Sequence, residues 1–182
     1  MVSLIAEAKG SEAMEVGLVG NEGMTDQVLE LGDTAFLRSI VQLPGSALAV
    51  EADEYVRWID ENPSALKLVA RYLQALTAQT AASALANGSF TINERLARWL
   101  LMCFDRSDGA QIPIVHEAIA LMLSVRRSGI TTAMHVLEGH GAIKNSRGQI
   151  QLKDRDVLTE LAQGSYGAPE REYVRLLRQM PS

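Results

Sequence analysis

The sequence is poor in cysteine, in histidine and in long apolar runs, and each shortage removes a class of function. The single cysteine, Cys103, excludes an internal disulfide and a cluster held by four cysteines of one chain, so a reduced compartment is the simplest setting. Within "RWLLMCFDR" it reads as a buried small hydrophobe. No apolar run approaches the roughly 18 residues a membrane helix needs. The amino terminus has no basic region followed by an apolar segment. A soluble cytoplasmic protein without a membrane partner is the expectation.

The three histidines do not assemble a metal site. "HEAIA" begins like a zinc-protease motif, but Ala120 stands where the second histidine of the helical pair must be. "GHGAIK" lacks the third glycine of a dinucleotide loop and has no strand and helix around it. His116, His135 and His140 are expected at the surface or facing phosphates. The reading is therefore no enzyme, no catalytic residue, no metal and no cofactor.

What the chain does have is 182 residues, 47% of them hydrophobic, and an uneven charge. The net charge is -5. Residues 1–90 hold 5 Lys and Arg against 12 Asp and Glu, and residues 91–182 hold 12 against 10. Between 118 and 153, Arg126, Arg127, Lys144, Arg147 and Lys153 face Glu138 alone. An acidic body with one basic stretch suits an anionic partner at that stretch.

Hydrophobic patterning divides the chain into an expected β-rich unit over 1–62, a long helix and hinge over 63–88, and a third unit over 89–182. "VSLIAE" and "MEVGLV" read as strands joined by a hairpin-like connection, and "SIVQLPGSALAVEA" as two more around Pro44-Gly45. "EADEYVRWIDENP" is a short helix broken at Asn62-Pro63. Residues 64–88 form the longest helical pattern, with Ser64 as cap and Gly88 as stop. Leu66, Val69, Leu73, Leu76, Thr80 and Ser83 follow a 3-4 spacing, the seam of a coiled coil, which favours a homodimer over simple packing on the helix's own domain. After "NGSF", Thr91 or Asn93 caps another helix whose apolar face is Ile92, Leu96, Trp99, Leu100 and Cys103.

"HEAIALML" gives two helical turns, Ser124 a tight turn, and "RRSGITTAMHVLEG" a second helix with Ile130, Met134 and Leu137 facing inward. The opposite face carries Arg126, Arg127, Ser128, Thr131, Thr132 and His135. Two short helices about a tight turn, the second opening with arginines, form a helix-turn-helix. "AIKNSRGQIQL" follows as strand, four-residue turn and strand, a wing whose Lys144, Arg147 and Lys153 can reach phosphates. Double-stranded DNA is the expected partner. The alternative, a winged helix serving only as a protein-docking scaffold, would not need Arg126 and Arg127 together with Arg147.

At these residues the chain resembles the cyclic AMP receptor protein/FNR (Crp/Fnr) family of bacterial transcription regulators. "ERLARWLLM", "IALMLSVRRSGIT" and "LEGHGAI" carry the resemblance over 91–152, and "EVGLVGNEGM" and "RSIVQLPGSALAV" carry it more weakly before that. It implies an α+β fold: a partial β-roll of the cyclic-nucleotide-binding type, a long dimerisation helix and a C-terminal winged helix-turn-helix. It further implies a homodimer on a two-fold symmetric operator, with Arg126, Arg127 and Ser128 at base-reading positions and RNA polymerase as a further partner. The segment resembling "VSLIAEA" has strands before it in the family, so the chain is expected to begin inside the roll. Ser128 and Thr132 replace a glutamate and an arginine that some members use, so no operator sequence carries over. Ser124 replaces the usual turn glycine. In the sensor, Gln27, Arg38 and Ser39 match effector positions, but Asp26-Gln27 stands where nucleotide binders have Gly-Glu. Asp26 would repel a phosphate, and the reading is against cyclic nucleotide binding.

Overall fold

The computed structural model describes residues 1–9, 13–25 and 36–178. β1 (Val2–Ala6) and β2 (Met14–Val19) form the expected antiparallel pair, and β3 (Arg38–Val41) lies along the other edge of β1. The second strand expected in "SIVQLPGSALAVEA" is absent. Residues 44–50 adopt no regular structure, and Leu48 and Val50 face solvent. Pro44 removes a ladder donor and Gly45 has no side chain to pack, so the strand stops at Val41.

α1 (Ala52–Glu61) and α2 (Pro63–Ser89) are separated by Asn62 alone. Pro63 takes the first helical position, where a missing N–H costs nothing. Asn62, rather than the expected Ser64, is the cap residue, and Gly88 does not stop the helix. Its 27 residues span about 40 Å. α3 (Ile92–Phe104) begins in a capping box: the Thr91 hydroxyl accepts from the Glu94 N–H, and the Glu94 carboxylate accepts from the Thr91 N–H at 2.7 Å. One apolar face was expected for α3, but every residue from Leu96 to Phe104 is buried. The helix is enclosed by the first sheet, by α2 and by the C-terminal unit. Arg98 is satisfied inside by the Ser165 carbonyl at 3.0 Å and the Ser83 hydroxyl at 3.2 Å. Cys103 is fully buried, as expected, and burial pushes its thiol pKa well up.

The C-terminal unit continues with β4 (Gln111–Ile112), α4 (His116–Met122), α5 (Arg127–Gly139), β5 (Ile143–Ser146) and β6 (Gln149–Leu152), the strands ordered β4-β6-β5. α6 (Arg155–Leu161) packs on α3, and α7 (Ala168–Tyr173) with a π-helical turn, Val174–Arg178, returns to α2. Ile119, Ile130, Met134, Leu137, Ile150 and Leu158 join Leu96 and Leu100 in one core. Among the described residues no helix is long and apolar enough to cross a membrane.

Candidate nucleic-acid interface

The turn between α4 and α5 sets the geometry of the site. Leu123 ends α4, Ser124 takes a left-handed backbone with φ 49°, the Ser124 N–H donates to the Leu121 carbonyl at 3.2 Å, and the Val125 N–H donates to the Ala120 carbonyl at 3.0 Å. This bond pair is a Schellman motif. The end of α5 repeats it with Gly141 at φ 75°, where the N–H groups of Gly141 and Ala142 donate to the Glu138 and Leu137 carbonyls. Arg95 of α3 also bonds the Leu123 carbonyl, tying the turn to the core.

Ile130, Met134 and Leu137 are fully buried, so the opposite face of α5 is turned outward. Ser128, Thr132 and His135 are exposed on it and Thr131 is half-buried. Arg126 is the residue before the helix rather than its first residue, and offers no side-chain cap. Arg127 opens the helix and pairs with Glu117 of α4 at 3.1 Å, both side chains more than half exposed. The Thr131 and Thr132 hydroxyls donate to the carbonyls of Arg127 and Ser128, at 3.2 and 3.1 Å. His135 Nδ1 lies 3.9 Å from Glu138 Oε2. The wing turn is tighter than expected: Ser146 pairs with Gln149, leaving Arg147 and Gly148 as a two-residue loop with Gly148 at φ 73°. Lys144, Arg147 and Lys153 are exposed.

Three contributors escaped the sequence reading. Glu117 lies one residue outside the basic window and screens Arg127. Glu138 accepts from the Asn145 N–H at 2.7 Å, pinning the wing to the end of α5. His116, expected at the surface, is half-buried between α4, α5 and β5. The helical spacing of His116 and Thr131 gives no signal, because the turn brings them together.

The helix seam is partly corrected. Val69 is 1% exposed and Ser83 7%, both facing their own chain; Ser83 donates to the Gln79 carbonyl and accepts from Arg98. β2 packs on that side, where Gln79 brackets Leu18, its Oε1 accepting from the backbone N–H at 2.6 Å and its Nε2 donating to the carbonyl at 3.2 Å. Leu66 is exposed and Leu73, Leu76 and Thr80 are half-buried, with Leu73, Leu76, Thr77, Thr80, Ala81 and Ala84 lining a shallow groove. No charged residue occurs between Arg71 and Glu94. Of the effector positions, Gln27 lies outside the described residues. Arg38 pairs with Glu7 at 3.1 Å, and Ser39 is half-buried on β3.

Residues 94–161, which hold this helix-turn-helix and wing, match the Crp-like helix-turn-helix domain. Residues 94–161 are thus a Crp-like helix-turn-helix domain. Its fold is similar to that of a Crp/Fnr-family transcriptional regulator from Thermus thermophilus, with TM-score 0.64 and 21% identity over 91% of this chain and 84% of the other. FixK2 from Bradyrhizobium japonicum gives TM-score 0.63 and 20% identity over 88% and 82%. A Crp/Fnr-family regulator from Eubacterium rectale gives 0.60 and 15% over 90% and 77%. At these identities the likeness concerns the fold. No curated protein matches the chain in sequence. A Crp-like helix-turn-helix is a DNA-binding type of domain.

Proposed function

We propose that the protein is a transcription regulator that binds a two-fold symmetric DNA operator as a homodimer. The observation that carries this is the outward face of α5 with its N-terminal arginines, beside a wing tipped by Lys144 and Arg147. Arg127 reads a base edge, assisted by Arg126, Ser128, Thr131, Thr132 and His135, while Lys144, Arg147 and Lys153 hold phosphates. The exposed Arg127–Glu117 pair is worth at most about 1 kcal/mol, so a guanine edge can displace it. Dimerisation through the uncharged outer stripe of α2, with Leu66, Leu73, Leu76 and Thr80, sets the two recognition helices at half-site spacing. The solved relatives are transcriptional regulators by description, which supports the same role here. Asp26-Gln27, standing where nucleotide binders have Gly-Glu, supports a sensor that does not take cyclic nucleotides.

Replacing Arg127 by alanine is expected to cost about 1–3 kcal/mol on the preferred duplex and to relax preference at one base pair. Arg147→Ala weakens all duplexes alike and lowers the salt slope by about one. Titrations of both variants against preferred and scrambled duplexes over a range of salt check this. Unchanged affinity and selectivity in Arg127→Ala would remove it as a reader.

A further inference from the structure

His116 holds together the three elements that would meet DNA. Its Nδ1 lies 3.3 Å from Thr131 Oγ1 on α5, and its Nε2 lies 3.1 Å from Asn145 Nδ2 on β5. The Asn145 amide donates to Nε2, so the ring carries its proton on Nδ1 and donates to the Thr131 hydroxyl. That hydroxyl passes its own hydrogen to the Arg127 carbonyl. Asn145 is held from its other side by Glu138. Both ring nitrogens are thus engaged inside the unit, and neither is left for a phosphate.

We propose that His116 is a positioning residue for base recognition: its ring braces the recognition helix against the wing strand and fixes how Thr131 and α5 face the bases, without touching DNA itself. The inference rests on the DNA-binding reading of this site. An imidazole suits the role because it is rigid and offers two polar atoms on opposite edges, so it can bridge two elements at once. The site is half-buried, so water can replace either hydrogen bond when the ring is removed. The fold then survives, and what is lost is the fixed orientation of Thr131 and α5 toward the bases.

The test uses the full chain, with His116→Ala, His116→Gln, Asn145→Ala and the Ala/Ala double variant. Each is titrated over a range of salt against the duplex the wild type prefers and against a scrambled duplex, with Tm measured alongside. The expected result is about a tenfold loss of preferred-over-scrambled selectivity in both alanine variants. Scrambled-duplex affinity and salt slope should be unchanged, the double variant no worse than either single one, and His116→Gln partly restored. Equal loss on both duplexes with a salt slope smaller by about one would make His116 a phosphate contact and overturn the proposal. Retained selectivity, or additive losses in the double variant, would overturn it as well. If His116→Ala melts early, Asn145→Ala carries the same comparison. A wild type that distinguishes no duplex from another would overturn the DNA reading itself, a different outcome from a discriminating wild type whose variants still discriminate.

Discussion

Glu15 lies where a strand facing two layers has no room for a charge. Its carboxylate accepts from the Ser3 hydroxyl at 2.5 Å and from Trp99 Nε1 at 2.8 Å, so one side chain joins the first sheet to α3. Burial pushes its pKa up to about 7, against the opposing pull of the two hydrogen bonds and of Arg98 and Arg106. A carboxyl that holds its proton more tightly when folded adds stability while protonated. That stability is complete below pH 4.5, declines as pH rises to about 7 and is gone above it. The interval corresponds to up to about 3 kcal/mol. Glu15→Gln keeps an acceptor for Trp99 and a donor for Ser3, so it should remove that decline and be the more stable protein at pH 8. Urea unfolding of both proteins at pH 5 and pH 8 checks this, and equal pH dependence would show that Glu15 does not titrate in this window. Nothing in "MEVGLV" marks Glu15 as buried. A register shift in β1 between Leu4 and Ile5 and the cover of α3 turn it inward, and neither is visible in "MEVGLV".

At the scale of single elements, the turn after α4 was the most legible. Two short apolar runs meeting at Ser124 predict a left-handed residue there, and its φ of 49° agrees. A left-handed backbone costs a non-glycine residue on the order of 1 kcal/mol. Comparing Ser124→Gly with Ser124→Ala isolates that cost, since both lose the hydroxyl. The glycine variant is expected to be the more stable by about 1 kcal/mol, whereas at an ordinary helical φ alanine would win. Thermal melts of the pair decide the sign. The seam of α2 was legible only in part. A 3-4 repeat drifts by about 20° per heptad on a straight helix. Val69 is covered by Ile59 of α1 and Ser83 bonds Arg98 of α3, while Leu66 remains outward. Glycine likewise proved a weak stop at Gly88, because Thr91 and Glu94 start the next helix and leave Gly88 free to remain helical.

In the whole molecule, the unit most readable from sequence is the one held by local contacts. α4, the turn, α5 and the wing follow one another without long excursions of the chain, and each bears its own periodicity or turn signal. β4 has two residues and α7 six, too short for a period to register, and both are defined by what they pack against. The first sheet depends on pairing across long separations, which explains the strand wrongly expected after Pro44. Charge follows the same division, with 12 acidic residues before residue 62 and the cations gathered at the winged helix. Two such winged helices, held by α2, are proposed to read one symmetric DNA site. Selection of bound sequences from random duplex DNA by the full chain tests it most directly. Enrichment of a two-fold symmetric motif with half-sites about one helical turn apart, near 34 Å, is expected. Recovery of a single unpaired half-site, or of no enriched sequence at low salt, would contradict it.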